Sequence, residues 1–264
     1  MTPRSLFALA LLTSACTQLG PVPGVTGASV LPRPSPGIEA QAGLLPGYFL
    51  SDATADADTR GTTVSQVSGF VEPGKLIGVE NLAVGVRHVS GGDDSGHFEP
   101  MLRYRHGLTD YFAVGVVGFG THAKASYDQA SYSMTRGGLE AGLDLRIVPK
   151  NHWAELHLLG GASAMGLSAQ GHYCQRDDGY GTSCEGSPAN ASARIEGIYP
   201  SVFGGISVDL ANRLGFFHGL RAQALVATGT MPTVRFAEQM KAEGWSSFGL
   251  ALSVALGAKE EGER

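Results

Sequence analysis

Trp245 to Ala258 read WSSFGLALSVALGA, a stretch that alternates between two kinds of side chain. The large apolar residues of one set are Phe248, Leu250, Leu252, Val254 and Leu256. The residues between them are Ser, Gly and Ala. Because successive side chains of a β-strand point to opposite faces, this pattern predicts a strand with one apolar face and one face of small residues.

Seven segments nearer the N-terminus show the same period or a weaker form of it. They lie at 81–87, 98–105, 111–120, 138–148, 155–158, 198–210 and 220–226. Short turns are predicted at 107–110, 149–151 and 211–213, and long polar loops at about 90–97, 121–134, 170–192 and 229–243. Eight strands joined alternately by short and long connections predict an all-β fold, namely an up-and-down antiparallel eight-stranded β-barrel. Both chain ends are then expected at the end of the barrel that carries the short turns.

The composition narrows the class of protein. Gly accounts for 38 of 264 residues, 43% of residues are hydrophobic, 16% are charged, and the net charge is -5. No cluster of Lys and Arg indicates a nucleic-acid surface, so no nucleic-acid partner is expected. No apolar run is long enough for a transmembrane helix, so a membrane-spanning form of this chain would have to be a closed barrel.

The first residues, MTPRSLFALALLTSAC, predict an export signal over residues 1–15. Its end, with Ala15 directly before Cys16, resembles the lipobox of bacterial lipoproteins, and this resemblance implies lipidation of Cys16. Ordinary cleavage that leaves Cys16 unmodified is the alternative. Residues 16–75 are Pro-rich and then polar, which predicts a disordered linker, and residues 259–264 form a polar tail.

The predicted barrel, residues 76–258, resembles the small eight-stranded outer-membrane barrels of the OmpA/OmpX type. The resemblance lies in the architecture and in the tight turn Gly107 to Tyr111, GLTDY. It implies a place in the outer membrane of a Gram-negative cell, outer-membrane lipid as a partner, and external loops that contact an unidentified extracellular ligand. A structural or surface-interaction role follows from it, with no enzymatic activity, cofactor or metal expected.

The polar faces of the predicted strands carry ten charged residues. They are Arg87, Glu99, Arg103, Arg105, Glu140, Asp144, Arg146, Glu155, Asp209 and Arg221. Placed inside a barrel, five acids and five bases must pair, because unpaired buried charges are costly. The balance predicts a plugged, non-conducting barrel held together by an interior charge network.

Cys174 and Cys184 flank a polar, Gly-rich loop. In an exported protein this spacing predicts a disulfide.

Two other functions remain open at the level of sequence. His88 and Ser90 faintly resemble the His-x-Ser pair of outer-membrane lipid A deacylases, which would imply a lipid hydrolase at the membrane surface. A soluble periplasmic barrel of the lipocalin type would have its apolar faces inside, around an apolar ligand. Alternation alone does not say which face points inward.

Overall fold

The computed structural model describes residues 17–19, 25–30, 38–50, 64–73, 78–79, 81–90, 96–126, 130–147, 154–173, 191–210, 219–235 and 241–256. The strands are β1 Thr17–Leu19, β2 Ile38–Leu50, β3 Val64–Val71, β4 Leu82–Ser90, β5 His97–Gly107, β6 Phe112–Ser126, β7 Ala130–Arg146, β8 Glu155–Tyr173, β9 Ala191–Leu210, β10 Gly219–Arg235 and β11 Lys241–Leu256. Among these residues no helix has the length and apolarity needed to cross a membrane.

Ten of these strands, β2 to β11, form one closed antiparallel barrel. Each pairs with the next in the sequence, and β11 returns to pair with β2, from Trp245 opposite Leu50 to Leu256 opposite Ile38. The register of this closing pair shifts between Phe248 and Leu250, and the shift bypasses Pro46. A proline has no N–H to donate, so it is tolerated at such a bulge.

The barrel has ten strands, so the predicted number of eight is wrong. All eight predicted segments are strands, and two more, β2 and β3, come from the region predicted as a linker. Their residues complete the ring between β11 and β4. The up-and-down antiparallel order was predicted correctly.

The two ends of the barrel differ. We call the end where β2 begins and β11 finishes the lower end, and the opposite end the upper end. β6 and β7 pair along one long hairpin, from Phe112 opposite Leu145 to Ser126 opposite Ser131, and β10 runs on to Arg235. Two of the long loops predicted from the sequence are therefore mostly strand. The wall is tall from β6 to β11 and low at β3 and β4, which have 8 and 9 residues against 20 in β9.

Burial is inverted relative to a water-soluble protein. On β5, Phe98 and Leu102 point outward with 65% and 51% of their surface exposed, while Glu99 and Arg103 point inward and are buried. Outward apolar side chains run from 139 to 147 on β7 and from 198 to 208 on β9. Above these bands the outward residues are polar, such as Thr135 and Glu196.

Candidate functional site

The most distinctive feature of the barrel is its filled lumen. Residues 25–30, which we call the lumen segment, lie inside the ring of strands, and Val25, Ala28, Ser29 and Val30 are each at most 1% exposed. Two backbone hydrogen bonds give the segment its turn shape, from Ala28 N to Val25 O and from Val30 N to Gly27 O, both 3.2 Å long. Gly27 has a φ of 82°, a left-handed conformation that favours glycine.

Side chains of the wall hold the backbone of the lumen segment. Val25 N donates to Gln66 Oε1 at 2.8 Å, and Gly27 N donates to Glu140 Oε2 at 3.1 Å. Gln41 Nε2 donates to Ala28 O at 2.7 Å. Buried backbone groups need such partners, because an unpaired buried N–H or C=O is costly. The interior is therefore built to receive a peptide backbone.

The fit around the lumen segment is tight. A methyl group added at Gly27 would lie 2.3 Å from Phe203 Cδ2, and one at Gly249 would lie 2.6 Å from Val25 Cγ1. Real atoms do not approach so closely, so both glycines are needed for this contact. The lumen segment is packed as part of the core.

A group of buried side chains beside the lumen segment forms what we call the central cluster. Its members are Arg87, His97, Glu99, Arg136 and Glu140. Glu99, fully buried, accepts a 2.6 Å hydrogen bond from Arg87 Nε, and it also pairs with Arg136. Arg136 Nη2 lies 2.8 Å from His97 Nε2. Arg87 also pairs with Glu140 at 3.5 Å, which links this cluster to the residue that holds Gly27.

A small cavity of about 20 Å³ is lined by residues of both the lumen segment and the central cluster. Thr26, Arg87, Glu140 and Trp245 are among its lining residues. A volume of this size has room for about one water molecule.

A second group toward the lower end forms what we call the lower cluster. Its members are Glu39, Glu72, Arg103, Arg105, Asp144, Arg146, Glu155, His157, Asp209 and Arg221. Arg103 pairs with Glu39 at 2.8 Å and stacks over Phe70 at 3.9 Å. Arg221 Nη2 donates to Asp209 Oδ2 at 2.7 Å and lies 3.3 Å from Asp144. Asp144 of β7 pairs with both Arg105 of β5 and Arg221 of β10, so the network joins opposite walls.

One part of the lower cluster has the donor atoms of a metal site. Single atoms of Glu155, His157 and Asp209 lie within 4.8 Å of one another, and His157 Nδ1 lies 2.6 Å from Asp144 Oδ1, as in metal-ligating histidines. However, Arg221 donates to both oxygens of Asp209, and Arg146 Nε lies 3.1 Å from Glu155 Oε2. Because arginines already supply the positive charge, we assign these residues to the ion-pair network.

The ten charged residues expected inside the barrel all lie on the inward face. Nine are buried, and the side chain of Arg146 is 14% exposed. They fall into the two clusters, where the nearest partner is often on another strand.

Other interior residues were missed. Glu39 lay in the supposed linker, and Arg136, His97 and His157 were not singled out. The lumen segment itself gave no signal, because a short run of small residues resembles any loop.

The other predicted residues lie on the outward face or outside the part of the chain that the structure describes. Cys16, Cys174, Cys184, the export signal and the polar tail lie outside the described residues. His88 and Ser90 are half-buried on the outward face of β4, and the His88 ring packs on Phe98 with 4.5 Å between ring centroids.

Comparisons with known proteins found no matching family model and no matching curated protein. Solved structures that match include Ail of Yersinia pestis, at 11% identity over 83% of this chain and 99% of that one, with a TM-score of 0.33. The translocator domain of the autotransporter NalP from Neisseria meningitidis matches at 13% identity over 84% and 89%, with a TM-score of 0.40. The N-terminal barrel of Pseudomonas aeruginosa OprF matches at 7% over 83% and 98%, with a TM-score of 0.28. Likenesses this distant establish no family for the chain.

Proposed function

We propose that this protein is an outer-membrane β-barrel whose lumen is closed by its own N-terminal segment, and that it acts as a structural or surface-interaction protein. The observation that carries the proposal is the lumen segment, held by Gln41, Gln66 and Glu140 inside a barrel with an apolar exterior. Such a barrel is anchored in lipid and closed to ions.

The exterior supports the membrane location. A tilted strand needs about 9–11 residues to cross the apolar layer of a bilayer, and the outward apolar bands at 139–147 and 198–208 have this length. Ile198 leaves 76% of its surface exposed. In water, a continuous apolar belt of this kind would drive aggregation, whereas in lipid it is the required surface.

The polar lining of the interior argues against the soluble lipocalin-like alternative. That alternative needs apolar faces around an apolar ligand, but the described interior is lined by Arg, Glu, Asp and Gln side chains. The apolar faces point outward instead. An apolar ligand in this lumen would leave many buried polar groups without partners.

We also propose that the barrel is not a lipid hydrolase and that contacts are made at its upper end. Ser168, Arg194 and Glu196 are exposed on the tall part of β8 and β9, above the apolar band. This polar collar, together with the loops it supports, is a suitable surface for an extracellular ligand. If His88 and Ser90 were catalytic, Ser90→Ala would abolish lipid hydrolysis; we expect no hydrolysis by either form.

Conductance in a planar lipid bilayer tests the closed lumen. The full chain should be silent, and a variant that lacks residues 17–37 but retains the export signal should conduct, because the charges on the walls then border an open space. Migration of the unboiled variant on a gel confirms that it has folded. Stable channels from the full chain would refute the proposal, and a folded but silent variant would refute closure by the lumen segment.

A further inference from the structure

The start of β2 and the two described parts of the chain before it lie at three different heights of the barrel. Ile38, where β2 begins, is at the lower end opposite Leu256 and Val71. The lumen segment lies in the interior. β1 lies at the upper end, where Thr17 pairs with Arg235 and Leu19 pairs with Thr233. The order in the sequence is thus upper end, lumen, lower end.

From this order we propose that the chain is threaded through its own barrel, so that the N-terminus emerges at the upper, outward-facing end of the molecule. The inference rests on the membrane location proposed above. It replaces the expectation that both chain ends lie on the same side of the membrane. The lumen is then a binding site whose ligand is a polypeptide backbone, supplied in cis.

The length and composition of the chain allow such a path. The sequence between Leu19 and Ile38 is GPVPGVTGASVLPRPSPG, in which the side chains are mostly small and Arg33 is the one charged residue. Because residues 25–30 form a turn, only the fourteen residue steps outside it are counted, and at about 3.3 Å per residue they reach roughly 46 Å. The apolar core of a bilayer is about 30 Å thick. The segment is therefore long enough to cross and slender enough for a ten-stranded barrel.

The wall supplies the hydrogen bonds that water would otherwise supply. Gln41 donates to a backbone carbonyl through Nε2 and accepts from Ser29 Oγ at 3.0 Å through Oε1. Gln66 and Glu140 accept from backbone N–H groups. Amide side chains offer both a donor and an acceptor, so they can pair with either polar group of a backbone. The contacts of Val25 N, Gly27 N and Ala28 O are of this backbone-directed kind.

The upper end offers β1 a place to bind. The pairing of β10 with β9 stops at Gly229 opposite Ser201, although β10 continues to Arg235. The edge of β10 beyond Gly229 is thus left open on the β9 side, and open strand edges attract another strand. β1 pairs with Thr233, Val234 and Arg235 along this edge. This added strand holds the emerging chain at the outer rim.

Surface accessibility of a peptide tag in intact cells tests the threading. The tag is inserted in the full chain before Thr17, or, as controls, in the β8–β9 connection near residue 180 or after residue 258 at the lower end. We expect antibody to bind the first and second tags in intact cells and the third only after the outer membrane is permeabilised. A reachable loop tag with a hidden N-terminal tag would overturn the threading and leave the proposed function intact. If the loop tag is also hidden, the proposed function fails as well.

A substitution in the lumen segment provides a second, independent test. Gly27→Val places a Cβ 2.3 Å from Phe203 and puts a β-branched residue at a positive φ, so the segment should not seat. Gly107→Val is the matched control, because a Cβ there meets nothing within 4 Å. We expect Gly27→Val alone to hide the N-terminal tag while the loop tag stays reachable. Equal exposure of the N-terminal tag in both variants would contradict a threaded, lumen-bound chain.

Discussion

Glu99 is the residue on which most of the central cluster depends. It is fully buried, and it pairs with Arg87, with Arg136 and, at 3.3 Å, with His97. A buried ion pair contributes little net stability when complete, because desolvation offsets the attraction. Removing one partner is costly, since the remaining charges stay buried without compensation. Glu99 neutralises two arginines, so its loss should lower the stability of the folded barrel strongly.

We predict that Glu99→Gln destabilises the barrel by about 3 kcal/mol or more, the cost of breaking a buried ion pair. The free energy of unfolding in urea, measured with the protein in lipid vesicles, is the readout. Glu196→Gln is the control, because Glu196 and its partner Arg194 are exposed and the loss of an exposed pair has little effect. Equal midpoints for the two variants would refute the role given to Glu99.

A double variant isolates the pair itself. Arg136→Gln combined with Glu99→Gln removes one of the two cations that Glu99 neutralises, together with the anion. The double variant should be less destabilised than the sum of the two single changes, because residues in one ion-pair network do not act independently. If the losses of stability in the two single variants simply added up in the double variant, the effect of Glu99→Gln would not arise from the pairing of Glu99 with Arg136.

At the residue scale the sequence revealed which face a charge occupies but not which partner it meets. Alternation placed Glu99, Glu140 and Asp144 on an inward face, because the period of a strand is local. The hydrogen bond from Gly27 to Glu140 joins residues 113 positions apart. Such a contact depends on closure of the ring, and no local pattern contains that information.

At the scale of elements, strands were recognised where the two faces differ in composition. β7 alternates Leu139, Ala141 and Leu143 outside with Glu140 and Gly142 inside, and it was found. β3 reads VSQVSGFV, with Val64, Gln66, Ser68 and Phe70 inside and Ser65, Val67, Gly69 and Val71 outside. Both faces mix apolar and polar residues, so the pattern carries little signal. In β2 the bulge at Pro46 breaks the period.

The outward apolar band gives a prediction for a single strand, β7. Leu143 lies at the middle of the outward band of β7 and is 49% exposed. We predict that Leu143→Arg costs about 2–4 kcal/mol, the penalty for an arginine at the midplane of a bilayer. Thr135→Arg is the matched control, because Thr135 is on the same strand and the same face but above the band.

Both variants are unfolded reversibly in vesicles and compared with the parent protein. The Thr135→Arg variant should unfold close to the parent, since its side chain lies at or beyond the polar interface. If Leu143→Arg were as stable as Thr135→Arg, the outward face of β7 would not be in lipid. The membrane location would then have to be abandoned.

At the scale of the whole molecule, the two extra strands and the lumen segment belong together. An eight-stranded barrel is just wide enough to be filled by its own side chains. Ten strands enclose more space, and in this chain residues 25–30 occupy it. The same N-terminal region supplies the strands that widen the barrel and the segment that fills it. Treating the region as a linker therefore missed both features at once.

Closure of the ring depends on β2 and β3, which join β11 to β4. β11 pairs with β2 along most of its length, and Arg103 is neutralised by Glu39 of β2. We predict that a chain retaining the export signal but lacking residues 17–75 fails to form a closed barrel. The remaining strands would have to join β11, with 16 residues, to β4, with 9, and Arg103 would lose its partner. Heat-modifiable migration on a gel is the readout, and it should be lost.

A variant that keeps every strand but replaces residues 51–63 with a short Gly-Ser linker should retain the shift in migration. If the truncated chain migrated as a folded barrel, eight strands would be sufficient and β2 and β3 would be dispensable additions to the wall.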